Sequence, residues 1–194
     1  SDLEAWARNP ALVQEFYNVR RRQLVEAVPN NGHAGLVELE KQFDVQIITQ
    51  NVDNLHERAG SRNVLHLHGE LMKMRSAGPG QEVFEVKPEK IEFTIHDKCP
   101  KGYPLRPHIV WFGEEVPEIG NAARIVEKAD ILVIIGTSMQ VYPAAGLLNY
   151  ARTGIPLYLI DPNEVEISPG RAIVIRKGAS EGVKILEEEL LKII

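Results

Sequence analysis

Residues Ile131-Leu132-Val133-Ile134-Ile135 form an unbroken apolar run that stops at Gly136-Thr137-Ser138. A strand wetted on one face alternates apolar and polar side chains. An unbroken run instead suits a central strand of a parallel sheet, buried on both faces. Parallel neighbours need long crossovers, and the flanking sequence provides them. Leu12, Val13, Phe16, Tyr17 and Leu24 recur at helical spacing behind an Asn9-Pro10 start, and Pro29-Asn30-Asn31-Gly32 ends that helix. Further helices are expected over 33 to about 42, 118–128, from Pro143, and over 181–194. Strand composition marks 45–49, 64–67, 109–112, 130–135, 156–160 and 172–175. This alternation predicts a doubly wound, Rossmann-like α/β sheet. Residues 71–106 are irregular and rich in charge, Gly and Pro, and read as a small inserted module. The sheet domain then comprises 1–70 and 107–194, with a helical small-domain segment near 1–30.

At 194 residues the chain is long enough for a sizeable core. Its 22 Lys+Arg against 27 Asp+Glu argue against a dedicated partner in nucleic acid or anionic membrane. No apolar run approaches the ~18–20 residues that span a bilayer. Cys99 is the single cysteine, which excludes an internal disulfide and fits a reducing, cytoplasmic setting.

Polar or glycine-rich residues follow several strands: 50–53, 136–138, 161–163 and 178–180. In open α/β sheets, ligands bind beyond the carboxyl ends of the strands. Four such clusters predict a ligand of nucleotide or dinucleotide size. Residue type alone leaves plainer readings open. Asn51 and Asp53 suit a capped turn. Gly136, Thr137 and Ser138 suit a helix N-cap. Phe112 suits core packing, and nothing in residue type separates His68 from His33, His56 or His66.

The order of the motifs decides among these readings. Thr49-Gln50-Asn51-Val52-Asp53-Asn54-Leu55-His56 precedes His68-Gly69-Glu70. Then come Trp111-Phe112-Gly113-Glu114, Gly136-Thr137-Ser138 and Val141-Tyr142-Pro143-Ala144-Ala145-Gly146. In order and spacing these resemble the sirtuin family, the NAD-dependent protein-lysine deacylases, from Asn9 onward. The resemblance implies removal of acyl groups from protein lysines, with release of nicotinamide and O-acyl-ADP-ribose. It implies His68 as the base that takes a proton from a ribose hydroxyl, a task suited to neutral imidazole. It places Gln50, Asn51, Val52 and Asp53 at the nicotinamide and ribose. Gly136, Thr137 and Ser138 fall at the nucleotide-contacting turn, Asp161, Pro162 and Asn163 at the adenosine ribose, and Gly178 and Ala179 at the adenine. The usual Asn of the ribose turn is Asp161 here. Phe112, Gly113, Glu114 and Val141 would wall a cleft in which an acyl-lysine peptide pairs as an extended strand. Tyr17 and Arg20 match the Tyr-x-x-Arg of sirtuins that remove acidic acyl groups, so succinyl- and malonyl-lysine are expected substrates beside acetyl-lysine. A solvated basic helix face at Arg20-Arg21-Arg22 is the competing reading.

Two features depart from the family. Many sirtuins carry two Cys-x-x-Cys pairs for structural zinc, and here only Cys99 remains, so no zinc is expected. Met72, Met74, Val83, Phe84, Val86, Ile91 and Phe93 would then hold the module by apolar packing. The family's opening strand and Gly-Ala-Gly-x-Ser loop, which cradles the pyrophosphate, has no counterpart ahead of Asn9. Residues upstream of Ser1, in a longer protein, are expected to supply it. Other readings are a sirtuin-like module with impaired catalysis that binds NAD or peptide, and an NAD glycohydrolase or ADP-ribosyltransferase.

Overall fold

The computed structural model describes residues 3–136, 144–164 and 170–194. They divide into two compact units, one of Ser1–Val28, Ile48–Asn54 and His66–Pro117, the other of Pro29–Ile47, Leu55–Leu65 and Glu118–Ile194. The short strands β1 (Ile47–Thr49) and β2 (Val64–His66) pair with each other.

The second unit carries the parallel sheet. Its strands β6 (Leu132–Ile135), β7 (Leu157–Ile160) and β8 (Ile173–Ile175) lie in the order β6-β7-β8. Helix α7 (Ala179–Leu191) sets Val183, Leu186 and Leu190 against Tyr158, Ile160 and Ile175, and Leu39 of α3 (Asn31–Leu39) joins this core. The apolar run does form a strand, but among the described residues β6 pairs with β7 alone, and its four residues are only half-buried. The strand buried at every position is β7. Burial on both faces follows from place in the strand order, and two apolar runs compete for the centre here. Helix α5 (Ile119–Lys128) agrees with its sequence signal.

The first unit holds α1 (Leu3–Arg8), α2 (Pro10–Glu26) and an antiparallel sheet. Asn9 caps α2 as expected, its Oδ1 accepting from Leu12 N–H at 3.2 Å. The sheet consists of β3 (Gly69–Ser76), β4 (Val83–Glu85) and β5 (Leu105–Ile109) in the order β4-β3-β5. Two expectations need correcting here. The region 71–106 is not irregular throughout, and the strand expected over 109–112 ends at Ile109, with Trp111 and Phe112 beyond it. The signal was hidden by buried charge. Arg75 and Arg106 are both buried strand residues, and each pairs with Glu114.

Helix α2 buries a different face from the one its apolar spacing indicates. Val13, Tyr17 and Leu24 are inside, but so are Gln14, Asn18 and Arg21, while Leu12 and Phe16 are exposed. The polar trio recurs one turn apart and clamps main chain. Gln14 Nε2 donates to the Leu105 carbonyl at 2.8 Å, and Asn18 exchanges two hydrogen bonds with the backbone of Phe93. Arg21 Nε donates to the Ile91 carbonyl at 2.6 Å and Nη2 to Asn18 Oδ1 at 2.7 Å, with the guanidinium 5.2 Å from the Phe93 ring centre. Burial lowers its pKa to about 10, so it stays charged at neutral pH. Of the expected apolar core, Met74, Val86 and Phe93 are buried together, with Met72, Phe84 and Ile91 against them, and Cys99 and Leu105 join the cluster. Val83 is not part of it and is exposed.

Candidate active site

The site in the first unit is assembled by backbone pairing. Leu67 N–H donates to the Thr49 carbonyl at 2.9 Å, which aligns the loop 50–53 with His68. His68 is then tied to the end of β5, its carbonyl accepting from Val110 N–H at 2.9 Å. Gly69 makes this possible. Its φ is +89°, and a Cβ there would lie 2.0 Å from the His108 carbonyl oxygen. Only glycine permits that approach.

The result is a cavity of about 340 Å³ lined by Arg20, Gln50, Asn51, Val52, Asp53 and His68. Leu71, Ile109 and Val110 complete its wall. These three are apolar strand or strand-end residues, and nothing in the sequence distinguishes them from core. The His68 imidazole is half-buried, and that burial pushes its pKa below the 6.5 ordinary for histidine. At neutral pH it is therefore an uncharged base beside two amides and a carboxylate.

Not every predicted residue reaches this cavity. Tyr17 is buried, but its hydroxyl accepts from Trp111 Nε1 at 2.9 Å and it does not line the wall. Phe112 is 88% exposed rather than packed in a core. Gly113 follows with φ +87° and starts the turn to Glu114.

The second unit brings the other predicted cluster to one sheet edge. Gly136 follows β6, Asp161 follows β7, and Gly178 caps α7 after β8, so all three lie at carboxyl ends of adjacent parallel strands. Gly136 has φ +60°, its N–H donates to the Ile160 carbonyl, and among the described residues no atom lies within 4 Å of the position of a Cβ. Asp161 is buried and its Oδ1 accepts from Asn163 N–H at 2.8 Å, while Pro162 and Asn163 are exposed. Ala179 opens α7, whose first amides are available to an acceptor. Thr137, Ser138 and Val141 lie outside the described residues.

A model of the Sir2 family matches residues 1–143. The chain belongs to the Sir2 family. An NAD-dependent protein deacylase of Bacteroides thetaiotaomicron is 58% identical over 192 residues, covering 97% of this chain and 82% of the relative. The solved structure of a Sir2 homologue complexed with NAD superposes with a TM-score of 0.86 at 38% identity, covering 98% of this chain and 76% of that one. A Sir2–p53 peptide–NAD+ complex matches at a TM-score of 0.77 and 29% identity, covering 97% and 81%. The sirtuin fold is thus the Rossmann-like α/β arrangement expected from the alternation of strands and helices.

The donor set fits the NAD that this family uses. Amides, a carboxylate and a neutral imidazole surround the cavity. At Gly136 no side chain stands in the way of close backbone approach. With one cysteine in the sirtuin chain, a Cys-based zinc site cannot close within it.

Glu114 belongs to the sirtuin Phe-Gly-Glu motif and has a structural load. Its carboxylate accepts from Arg106 Nη2 at 2.8 Å, Arg75 Nη2 at 3.2 Å and Trp111 N–H at 2.9 Å. Burial alone would raise its pKa, but the Arg106 hydrogen bonds, the Trp111 amide and the two positive charges outweigh that and hold it below 4.5. A depressed carboxyl stabilises the fold above its unfolded pKa, and the contribution fades as pH falls through the folded value. Glu114→Gln should therefore cost about 2 kcal/mol at pH 7, with the gap from wild type narrowing below pH 4.5. Urea titrations at pH 7 and pH 4 read this directly. An unchanged midpoint at pH 7 would show that the two guanidinium groups do not depend on the carboxylate.

Proposed function

We propose that the chain removes acyl groups from protein lysines with NAD as co-substrate, releasing nicotinamide and O-acyl-ADP-ribose. The observation that carries this reading is His68, neutral at pH 7, in one cavity with Gln50, Asn51, Asp53 and Arg20. NAD when bound supplies the ribosyl carbon that receives the acyl oxygen and the hydroxyl whose proton must leave. His68 accepts that proton at an imidazole nitrogen. The Asn51 and Gln50 amides orient the ribose hydroxyls, and Asp53 accepts from a carboxamide NH2. Leu71, Ile109 and Val110 give an apolar wall that limits water. In the second unit, Gly136 and Ser138 serve the nucleotide, Asp161 and Asn163 the adenosine ribose, and Ala179 the adenine.

The peptide partner is an acyl-lysine segment in extended form along Phe112, Gly113 and Glu114. The exposed Phe112 and the engaged Glu114 support that role, since one is available for contact and the other holds the turn. Among the described residues no helix is long and apolar enough to cross a membrane. The single cysteine, Cys99, fits a reducing compartment, and we place the reaction in the cytoplasm.

Arg20 supports an acidic acyl group, because a guanidinium on the cavity wall pairs bidentately with a carboxylate. Tyr17 acts one step back, its hydroxyl holding Trp111. Arg20→Met should lower kcat/KM for a succinyl-lysine peptide roughly 10- to 100-fold. The value for the acetyl-lysine peptide should change little. Mass spectrometry of NAD reactions with acetyl, malonyl and succinyl peptides tests both points. Nicotinamide release without O-acyl-ADP-ribose would defeat the deacylase reading, and equal losses on all peptides would defeat the role of Arg20.

A further inference from the structure

His66 is buried two residues ahead of His68, at the end of β2. Its Nδ1 lies 3.0 Å from the carbonyl oxygen of Asn51. A carbonyl can only accept, so Nδ1 carries the proton and the tautomer is set. The other side of the same residue is also held, Asn51 N–H donating to Thr49 Oγ1 at 3.0 Å. On either side along the loop, the Thr49 carbonyl takes Leu67 N–H and the Val52 carbonyl takes Leu71 N–H at 2.8 Å. Three of these four ties involve either backbone alone or a neighbour two residues away. The His66 imidazole reaches into the loop from the end of β2, two residues ahead of His68.

We propose that His66 is a positioning residue, whose Nδ1–H holds the Asn51 carbonyl and so fixes Asn51 against His68. The inference rests on the NAD-dependent reading above for its consequence, but not for its geometry. A side chain on a short exposed loop samples many rotamers unless its main chain is clamped at both ends. Asn51 is itself exposed, so neighbouring packing does not restrain it. Thr49 Oγ1 on its amide and His66 on its carbonyl supply that clamp. An imidazole does this well because the ring is rigid and Nδ1 sits close to its own backbone. The remaining nitrogen, Nε2, lies 3.8 Å from Glu70 Oε1, which favours a ring orientation with Nδ1 toward the loop.

The nitrogen that acts decides the test. Asparagine places its Nδ2 near the position of Nδ1, whereas glutamine places its donor nearer Nε2. His66→Asn should keep NAD affinity within about twofold of wild type, while His66→Gln and His66→Ala should weaken it about tenfold by calorimetric titration. Backbone hydrogen exchange over 48–54 should be faster in the Gln and Ala variants and unchanged in Asn, with no NAD present. Steady-state kinetics should put the loss mainly in KM for NAD. A merely structural residue would lower Tm in all three variants together and leave the exchange of 48–54 in step with global stability. Equal behaviour of the Asn and Gln variants in exchange would overturn the proposal. Failure of the wild-type protein to bind NAD would instead defeat the functional reading, and the exchange experiment would still decide the role of His66.

Discussion

His68→Ala is expected to lower deacylation by about a thousandfold, the scale of a lost general base, with little change in Tm. The catalytic loss follows from position and charge. The imidazole is half-buried on the cavity wall, and burial penalises its cation. The small structural effect follows from what holds the residue: the Val110 amide bonds the His68 backbone carbonyl, which alanine retains. The same burial fixes the pH dependence. The folded pKa lies below the unfolded one, so the stability linked to this group is complete above pH 6.5 and is lost as pH falls through the folded value. The acid limb of kcat/KM should accordingly fall below pH 6.5. A limb above 6.5, or a variant that still turns over, would remove His68 from the role of base.

Gly69→Ala is expected to destabilise the protein by roughly 3–5 kcal/mol, a left-handed backbone penalty added to severe overpacking. The Cβ would sit 2.0 Å from the His108 oxygen and 2.9 Å from Ile109 Cα. Those atoms are main chain, and β3 and β5 are paired through Gly69 and Ile109, so nothing flexible can move aside. For a chain of this size the loss corresponds to a Tm drop on the order of 10 °C. Turnover should fall as well, because the clash lies next to His68. Gly113→Ala is the control: φ is +87° there, but among the described residues no atom lies within 4 Å of the added carbon. It should cost only about 1 kcal/mol. Equal losses at the two positions, measured by thermal unfolding, would show that close approach at Gly69 is not the cause.

Much of this site was legible because its signals are local. Asn9-Pro10 starts α2 where expected, since capping needs only the residue and its first turn. Gln50, Asn51, Asp53 and His68 were readable from ordered motifs, and the fold brings all four to one cavity with Arg20. Arg21 shows the limit. Within Arg20-Arg21-Arg22 it looks like one solvated charge among three. It is instead fully buried, donating to Ile91, Asn18 and Met74. Those partners are up to 70 residues away in sequence, and no local pattern encodes them. Tyr17 shows a subtler limit. Its spacing from Arg20 is local, but its hydroxyl is committed to Trp111, a residue 94 positions on.

The sequence by itself determined the α/β alternation, the Sir2 family membership and the residue types available for chemistry. Periodicity, capping and motif order are properties of short stretches, and short stretches carry them without help. Only the tertiary structure decided that β7 rather than β6 is the buried strand, that Gln14, Asn18 and Arg21 face inward, and that His66 reaches Asn51. Each of those depends on which distant segments become neighbours. Burial and hydrogen-bond satisfaction belong to the assembled chain, because both are set by what displaces water from a group.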